Sequence, residues 1–167
     1  MKPSNWNDAA NMHLRGLMEH AATMHMDKTA LDPIQNYLSA WILRLQEGDW
    51  DKADTDLSVQ IIQQAGIYAM REMTAEGMPF DMKEMVDLLV RKQHDYGHDN
   101  INNFGVIGIA IRSCDKIARI KNLKENGADA KNEPFLDSYV DLIGYAVIAG
   151  MYHDGTFQLE LKGETHE

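Results

Sequence analysis

The stretch 135–149 is apolar on nearly every side when wound as a helix, yet it carries an aspartate, Asp141, well inside it. A helix without a polar face has to be surrounded by protein. Asp141 interrupts this run and Arg112 interrupts the other long apolar run, so neither offers the roughly 20 uninterrupted apolar residues that a membrane span needs. The chain is therefore expected to be all-α, a helical bundle packed around a buried helix. An ionised carboxylate in such a helix must be paired or metal-bound, because bare burial is costly or shifts its pKa.

The other helices follow from three- and four-residue spacing of apolar positions. Over 5–26 the spacing turns Trp6, Ala9, Ala10, His13, Leu14 and Leu17 to one side. Asp32 and Pro33 start a second helix, since proline suits a first turn, and Gly48 stops it. Asp49, Asp51, Asp54 and Asp56 then form an acidic turn over 48–56. An EF-hand loop counted from Asp49 would need Gly and Glu where Asp54 and Gln60 stand, so calcium binding of that type is rejected. A third helix is expected over 55–75, with Leu57 and Ile61 inward, Gly77 ending it and Pro79 preventing its resumption. Asp81 and Glu84 have the spacing of a capping box at the head of a fourth, which reaches Tyr96. Further helices are expected over 104–125 and 134–153, about six in all, with a polar connection over 97–103 and a short strand over 156–161 in a tail that otherwise frays.

A chain of 167 residues suits one domain. Residues 1–80 supply helices of no assigned role, 81–153 the helices of a candidate site, and 154–167 the tail. The net charge of −10 argues against coating a nucleic acid, but leaves room for a small phosphate ligand where positive charge is concentrated. The lone cysteine, Cys114, excludes an intrachain disulfide and reads as a small core residue. With no signal-like start, a reducing cytoplasm is the expected location.

Positive charge is concentrated in the helix over 104–125. Its apolar side is Ile107, Ala110, Ile111, Cys114, Ile117 and Ala118, and its other side carries Arg112, Asp115, Lys116 and Arg119 in one stripe. From Arg112 to Lys124 the local charge is +4, reduced to +3 by Glu125. Cations beside a carboxylate suit a phosphate-and-metal site; the alternative is an exposed face of i, i+4 ion pairs. In the last helix Asp137 lies one turn before Asp141, so the pair, with Asp115 from the facing helix, can form an oxygen-rich cluster suited to magnesium. The alternative is that Asp141 forms a structural salt bridge with Arg112 or Arg119. Lys92, Asp95, Tyr96 and Gly97 end the fourth helix with an aromatic able to stack on a base, and the following polar connection can add amide contacts to a base edge.

These motifs in their order, Lys92-x-x-Asp95-Tyr96-Gly97, Arg112-x-x-Asp115-Lys116-x-x-Arg119-x-x-Asn122-Leu123 and Asp137-x-x-x-Asp141-Leu142-x-x-Tyr145, resemble the nucleotide-modification-associated domain family found largely in phages. The likeness covers roughly 86–151 and implies a role near nucleotide pools or DNA base modification, in the host cytoplasm if a phage encodes the chain. More remotely the layout resembles the all-α MazG and dimeric dUTPase pyrophosphatases, whose E-x-x-E and E-x-x-D pairs hold magnesium and a triphosphate. Here Asp115 stands alone on its helix, and Asp137 and Asp141 are four apart.

The leading expectation is magnesium-dependent hydrolysis of a nucleoside or deoxynucleoside triphosphate, with manganese as a substitute metal. Asp115, Asp137 and Asp141 would hold the metal, with Asp115 and Asp141 the catalytic pair. Arg112, Lys116 and Arg119 would neutralise phosphate, and Lys92, Asp95 and Tyr96 would contact the nucleoside; the family motif adds Asn122 and Tyr145 to the substrate-binding set. Alternatives are a nucleotide-binding protein without catalysis, an HD-type phosphohydrolase built on His94 and Asp95, and a helical interaction protein. By analogy with small helical pyrophosphatases, a homo-oligomer is expected.

Overall fold

A computed structural model describes residues 2–27, 29–49, 52–78, 80–127 and 134–163. It contains seven α-helices: α1 (Trp6–Thr23), α2 (Leu31–Gln46), α3 (Lys52–Ala75), α4 (Met82–Tyr96), α5 (Asp99–Asn102), α6 (Gly105–Asn126) and α7 (Phe135–Asp154). No strand occurs among the described residues, and no described helix is long and apolar enough to cross a membrane.

The ends of the helices follow local chemistry. Asn5 caps α1 by accepting from the Asp8 backbone N–H at 2.9 Å. Asp81 caps α4 through the Glu84 N–H at 2.8 Å, the half of the expected capping box that fixes the first turn. Helix α3 begins earlier than its apolar spacing suggests, at Lys52, so residues 52–56 are helical rather than part of a loop. Asp51 and Pro79 lie outside the described residues. The polar connection after α4 winds into the short α5, whose Ile101 is buried.

The expected burial of 135–149 is borne out from Ser138 onward, while Asp137 in the first turn is exposed. Helix α7 runs through the bundle with Leu142, Ile143, Ala146 and Val147 fully buried. It packs most extensively on α3, then on α6 and α1. The α3–α7 contact depends on Gly66: a Cβ there would lie 2.4 Å from the Ala146 Cβ and 3.3 Å from the Leu142 carbonyl oxygen. Only a missing side chain lets the two backbones approach so closely.

Helix α6 is rotated relative to its predicted apolar side. Ile109, Ala110, Ser113, Ile117 and Ile120 are buried, whereas Ile111 and Ala118 are exposed. Ser113 is accommodated because its hydroxyl donates to the Ile109 carbonyl at 2.8 Å. Cys114 is half-buried against the core, and burial pushes its thiol pKa up. Leu57, placed inward by its spacing, is also exposed, near the start of α3.

The expected strand over 156–161 is corrected. Gly155 takes φ +82°, and a 3-10 turn over Thr156–Gln158 follows. The Thr156 N–H and hydroxyl both donate to the Asp154 carboxylate, at 3.0 and 2.6 Å, which fixes a turn in place of an extended start. Phe157 is then fully buried, edge-on to Trp6 and His98. The tail continues along α1, with Trp6 N–H donating to the Glu160 carbonyl at 2.8 Å and Lys162 N–H to Asn7 Oδ1 at 3.1 Å. Ordered packing thus replaces the expected fraying as far as Gly163; residues 164–167 lie outside the described set.

The Gly66 contact makes a direct prediction. Gly66→Ala should destabilise the protein by roughly 1–3 kcal/mol, the usual cost of overpacking a core. Ala146→Gly in the same chain should recover part of that loss. Chemical denaturation of the two single variants and the double variant measures the coupling; strict additivity would mean that the two positions do not meet.

Candidate functional site

Between α1, α4, α5, α6 and α7 lies a cleft of about 320 Å³. Helix α4 contributes Leu89, Lys92, Gln93 and Tyr96; α5 contributes Asn100 and Ile101; α6 contributes Arg112; α7 contributes Asp141, Tyr145 and Ile148; and α1 contributes Trp6. A larger groove of about 440 Å³ between α1 and α3 has Arg71 as its one charged lining residue, and that guanidinium is engaged, donating to the Ala21 carbonyl at 2.7 Å.

Asp141 organises the charged end of the cleft. Its side chain is 16% exposed and receives two lysines, Lys92 Nζ on Oδ1 at 2.9 Å and Lys116 Nζ on Oδ2 at 2.8 Å. Burial pushes the Asp141 carboxyl up, but the hydrogen bonds from Lys116 and Lys92 outweigh it and hold the pKa below the ordinary carboxylate value. The carboxylate is therefore ionised at neutral pH. Lys92, Arg112 and Lys116 against Asp141 leave a formal local charge of +2.

The chain reaches this geometry through local turns. Gly97 takes φ +64°, which a residue with a side chain rarely adopts, and its N–H donates to the Gln93 carbonyl at 2.8 Å. That turn ends α4 at Tyr96 and brings α5 back toward α6. The Arg112 guanidinium then donates to Asn100 Oδ1 at 3.1 Å. Tyr96, at the last position of α4, remains 64% exposed at the cleft. Tyr145 is partly buried, and burial first, then the charge of Asp141, raises its phenol pKa.

Of the residues expected from sequence to form a site, Lys92, Tyr96, Arg112, Asp141 and Tyr145 line the cleft, and Lys116 joins them through Asp141. The basic stripe of α6 is turned toward α7: Lys116 reaches Asp141, and the Arg119 guanidinium donates to the Ser138 hydroxyl one turn earlier. The expected salt bridge from Asp141 exists, with lysines as partners instead of Arg112 or Arg119. Asp95 is exposed and lies 3.2 Å from His94 Nδ1, away from the cleft lining. Asn122 accepts from the Asn126 side-chain amide at its own backbone and side-chain oxygens, 2.9 and 2.8 Å, within the last turns of α6. Asp115 and Asp137 are exposed and do not line the cleft.

The three aspartates expected to hold magnesium or manganese do not assemble into a metal-ligand set. Each oxygen of Asp141 already faces an ammonium group, and among the described residues no group of three His, Cys, Asp or Glu side chains is placed to hold a metal. The HD-type arrangement lacks such a group for the same reason. His98, beside that motif, is committed elsewhere, with Nε2 3.1 Å from the Leu159 carbonyl oxygen.

Residues 92–152 match the family model described as nucleotide modification associated domain 1. No curated protein and no solved structure matches the chain. The nucleotide modification associated segment begins at Lys92 and ends at Tyr152, so it contains every residue expected from sequence to form the site. It does not contain the whole cleft. Trp6 and Leu89 lie outside it, and Trp6 comes from the far end of the chain.

Sequence reasoning missed the neutral wall. Trp6 reads as a core aromatic, which it also is, at 1% exposure. Gln93 sits inside the Lys92–Gly97 motif but carries no charge to draw notice. Asn100 belongs to the connection whose amides were expected to meet a base. The partnering of Asn100 by Arg112 required the tertiary fold.

The paired lysines predict a specific pH behaviour. Asp141→Asn should lower stability by roughly 1–3 kcal/mol at pH 7 by removing charge-assisted hydrogen bonds. Because the folded pKa is depressed, the unfolded chain binds more protons in the window below about 3.9, and stability there rises with pH. The melting-temperature gap between the native protein and Asp141→Asn should hold from pH 8 to 5. It should close as pH falls below about 4. A gap unchanged through that acid range would show that Asp141 is not held ionised by its lysines.

Proposed function

We propose that the cleft binds the phosphates of a nucleoside or deoxynucleoside phosphate. The observation that carries this reading is the convergence of Lys92 and Lys116 on a single carboxylate beside an open cavity that Arg112 also lines. One carboxylate leaves two net positive charges, and a phosphate group is the complementary partner. Lys92 and Lys116 can exchange Asp141 for phosphate oxygens without losing an ionic partner. Arg112, pre-set by Asn100, offers a planar fork suited to bidentate contact. Tyr96 supplies an exposed ring on which a base can stack. The nucleotide modification associated segment agrees with this ligand class, and a nucleotide ligand fits a protein of the cytoplasm.

Hydrolysis of a triphosphate to monophosphate and pyrophosphate is the second reading. It is favoured by an ionised carboxylate, Asp141, held at the phosphate end of the cleft. Because no three described carboxylate, histidine or cysteine side chains gather around a metal position, magnesium or manganese is proposed to arrive with the triphosphate. The homo-oligomer belongs to the same proposal. Phe104 and Ile111, at 70% and 45% exposure, lie seven residues apart beside Asp115, an apolar patch that a second copy would cover.

One experiment separates these readings. The protein is incubated with each ribo- and deoxynucleoside triphosphate, with and without magnesium, and binding and products are measured together by calorimetry and chromatography. Binding without product, lost by about tenfold or more in Lys116→Ala and retained in Asp141→Asn, supports a binding protein. Monophosphate formed by the native protein and not by a folded Asp141→Asn supports the hydrolase. Neither binding nor product across the panel removes both.

A further inference from the structure

An anion that enters the cleft meets another anion already in place. Lys92 holds one oxygen of Asp141 at 2.9 Å and Lys116 holds the other at 2.8 Å. The carboxylate cannot withdraw far, because it is carried by α7, where the next two residues, Leu142 and Ile143, are fully buried. A partner supplied by the chain itself acts at high effective concentration, so a free ligand has to offer the two lysines more than Asp141 does. Arg112 is held differently. Both of its contacts to Asn100, at 3.1 and 3.4 Å, use the one nitrogen Nη2. A guanidinium has five N–H donors in a planar fork, so that anchoring leaves donors for a ligand oxygen.

The geometry points to a terminal phosphate, a monoester group, as what the cleft takes, with Asp141 as the built-in competitor that excludes phosphodiesters. This rests on the phosphate reading above and adds the class of phosphate to it. A phosphate monoester carries about two negative charges near pH 7 and presents three acceptor oxygens. Lys92, Arg112 and Lys116 against Asp141 leave two positive charges, which such a group neutralises, and three cationic side chains match its three oxygens. A phosphodiester carries one charge and two terminal oxygens. It offers Lys92 and Lys116 no more than the carboxylate they already hold, and it leaves Arg112 without an oxygen of its own. The interior of a nucleic-acid strand contains only diesters, and the overall charge of −10 disfavours it further. The cleft is thus suited to the phosphorylated end of a single nucleotide.

The test is isothermal titration calorimetry on the full chain, with metal removed by a chelator. The ligands are the ribo- and deoxynucleoside 5′-monophosphates, the methyl ester of each, and the matching triphosphates. Methylation turns the monoester into a diester and leaves base and sugar unchanged. Monophosphates should bind at least about tenfold more tightly than their methyl esters at pH 7.5. That advantage should shrink as pH falls below about 6, where the monoester takes up its second proton. Asp141→Asn, in a chain whose melting curve verifies folding, should bind the methyl esters more tightly than the native protein does. Equal affinity for the two forms, a preference for the methyl ester, or triphosphate binding with no monophosphate binding overturns the inference and leaves the phosphate reading in place. So does a monoester advantage that stays constant through the acid range, which needs no variant to measure, or methyl-ester binding weakened by Asp141→Asn. If no ligand binds, the phosphate reading fails and the inference fails with it.

Discussion

The arrangement of the bundle depends on how closely α3 and α7 approach at Gly66 and Ala146. Because no side chain separates them there, α7 sinks into the middle of the protein and is covered by α1, α3 and α6 at once. Small residues recur along its length for the same purpose. A Cβ at Gly150 would meet His13 Nδ1 at 2.6 Å and one at Gly144 would meet Leu89 at 3.1 Å, so α1 and α4 also rest close to the α7 backbone. Close approach on several sides leaves α7 little room for a polar residue.

Asp141 is the exception, and its surroundings explain how it is tolerated. It lies where α4 and α6 diverge enough to leave a cavity, and each of those helices sends a lysine back to it. Two ammonium groups from two different helices also fix how those helices sit relative to α7. The charge concentrated in the site is therefore at once a packing device and the basis of the proposed phosphate affinity. An acidic protein can hold a cationic cleft in this way because the local excess is only two charges, gathered around one carboxylate.

The helices were legible because apolar spacing, caps and glycines act within a few residues. Asp81, Gly97 and the all-apolar α7 did what their local chemistry implies. The site was legible in part, since Lys92, Tyr96, Arg112, Lys116 and Tyr145 gather around Asp141. What sequence could not supply is which edge of a helix a neighbour covers. Asp115 is one residue, about 100° of helical rotation, from Lys116, so the two cannot both point at α7. Asp137 shares a side with Asp141 but occupies the first turn of α7, which the rest of the bundle leaves exposed. Trp6 was invisible as a cleft residue because its nearest partner in the cleft wall, Leu89, is more than eighty positions away in the chain.

The separation between Trp6 and the matched segment bears on what kind of unit that segment is. Residues 92–152 hold the end of α4, all of α5 and α6 and most of α7, but α3 and α1, which cover the remaining sides of α7, lie outside it. Cut free, the segment would present Ala146, Val147 and their neighbours to water on a bare helix. It is a recurring sequence pattern without being an autonomous folding unit. Any protein that carries the pattern must furnish its own scaffold for the far side of that helix. Different scaffolds would place different side chains where Trp6 stands.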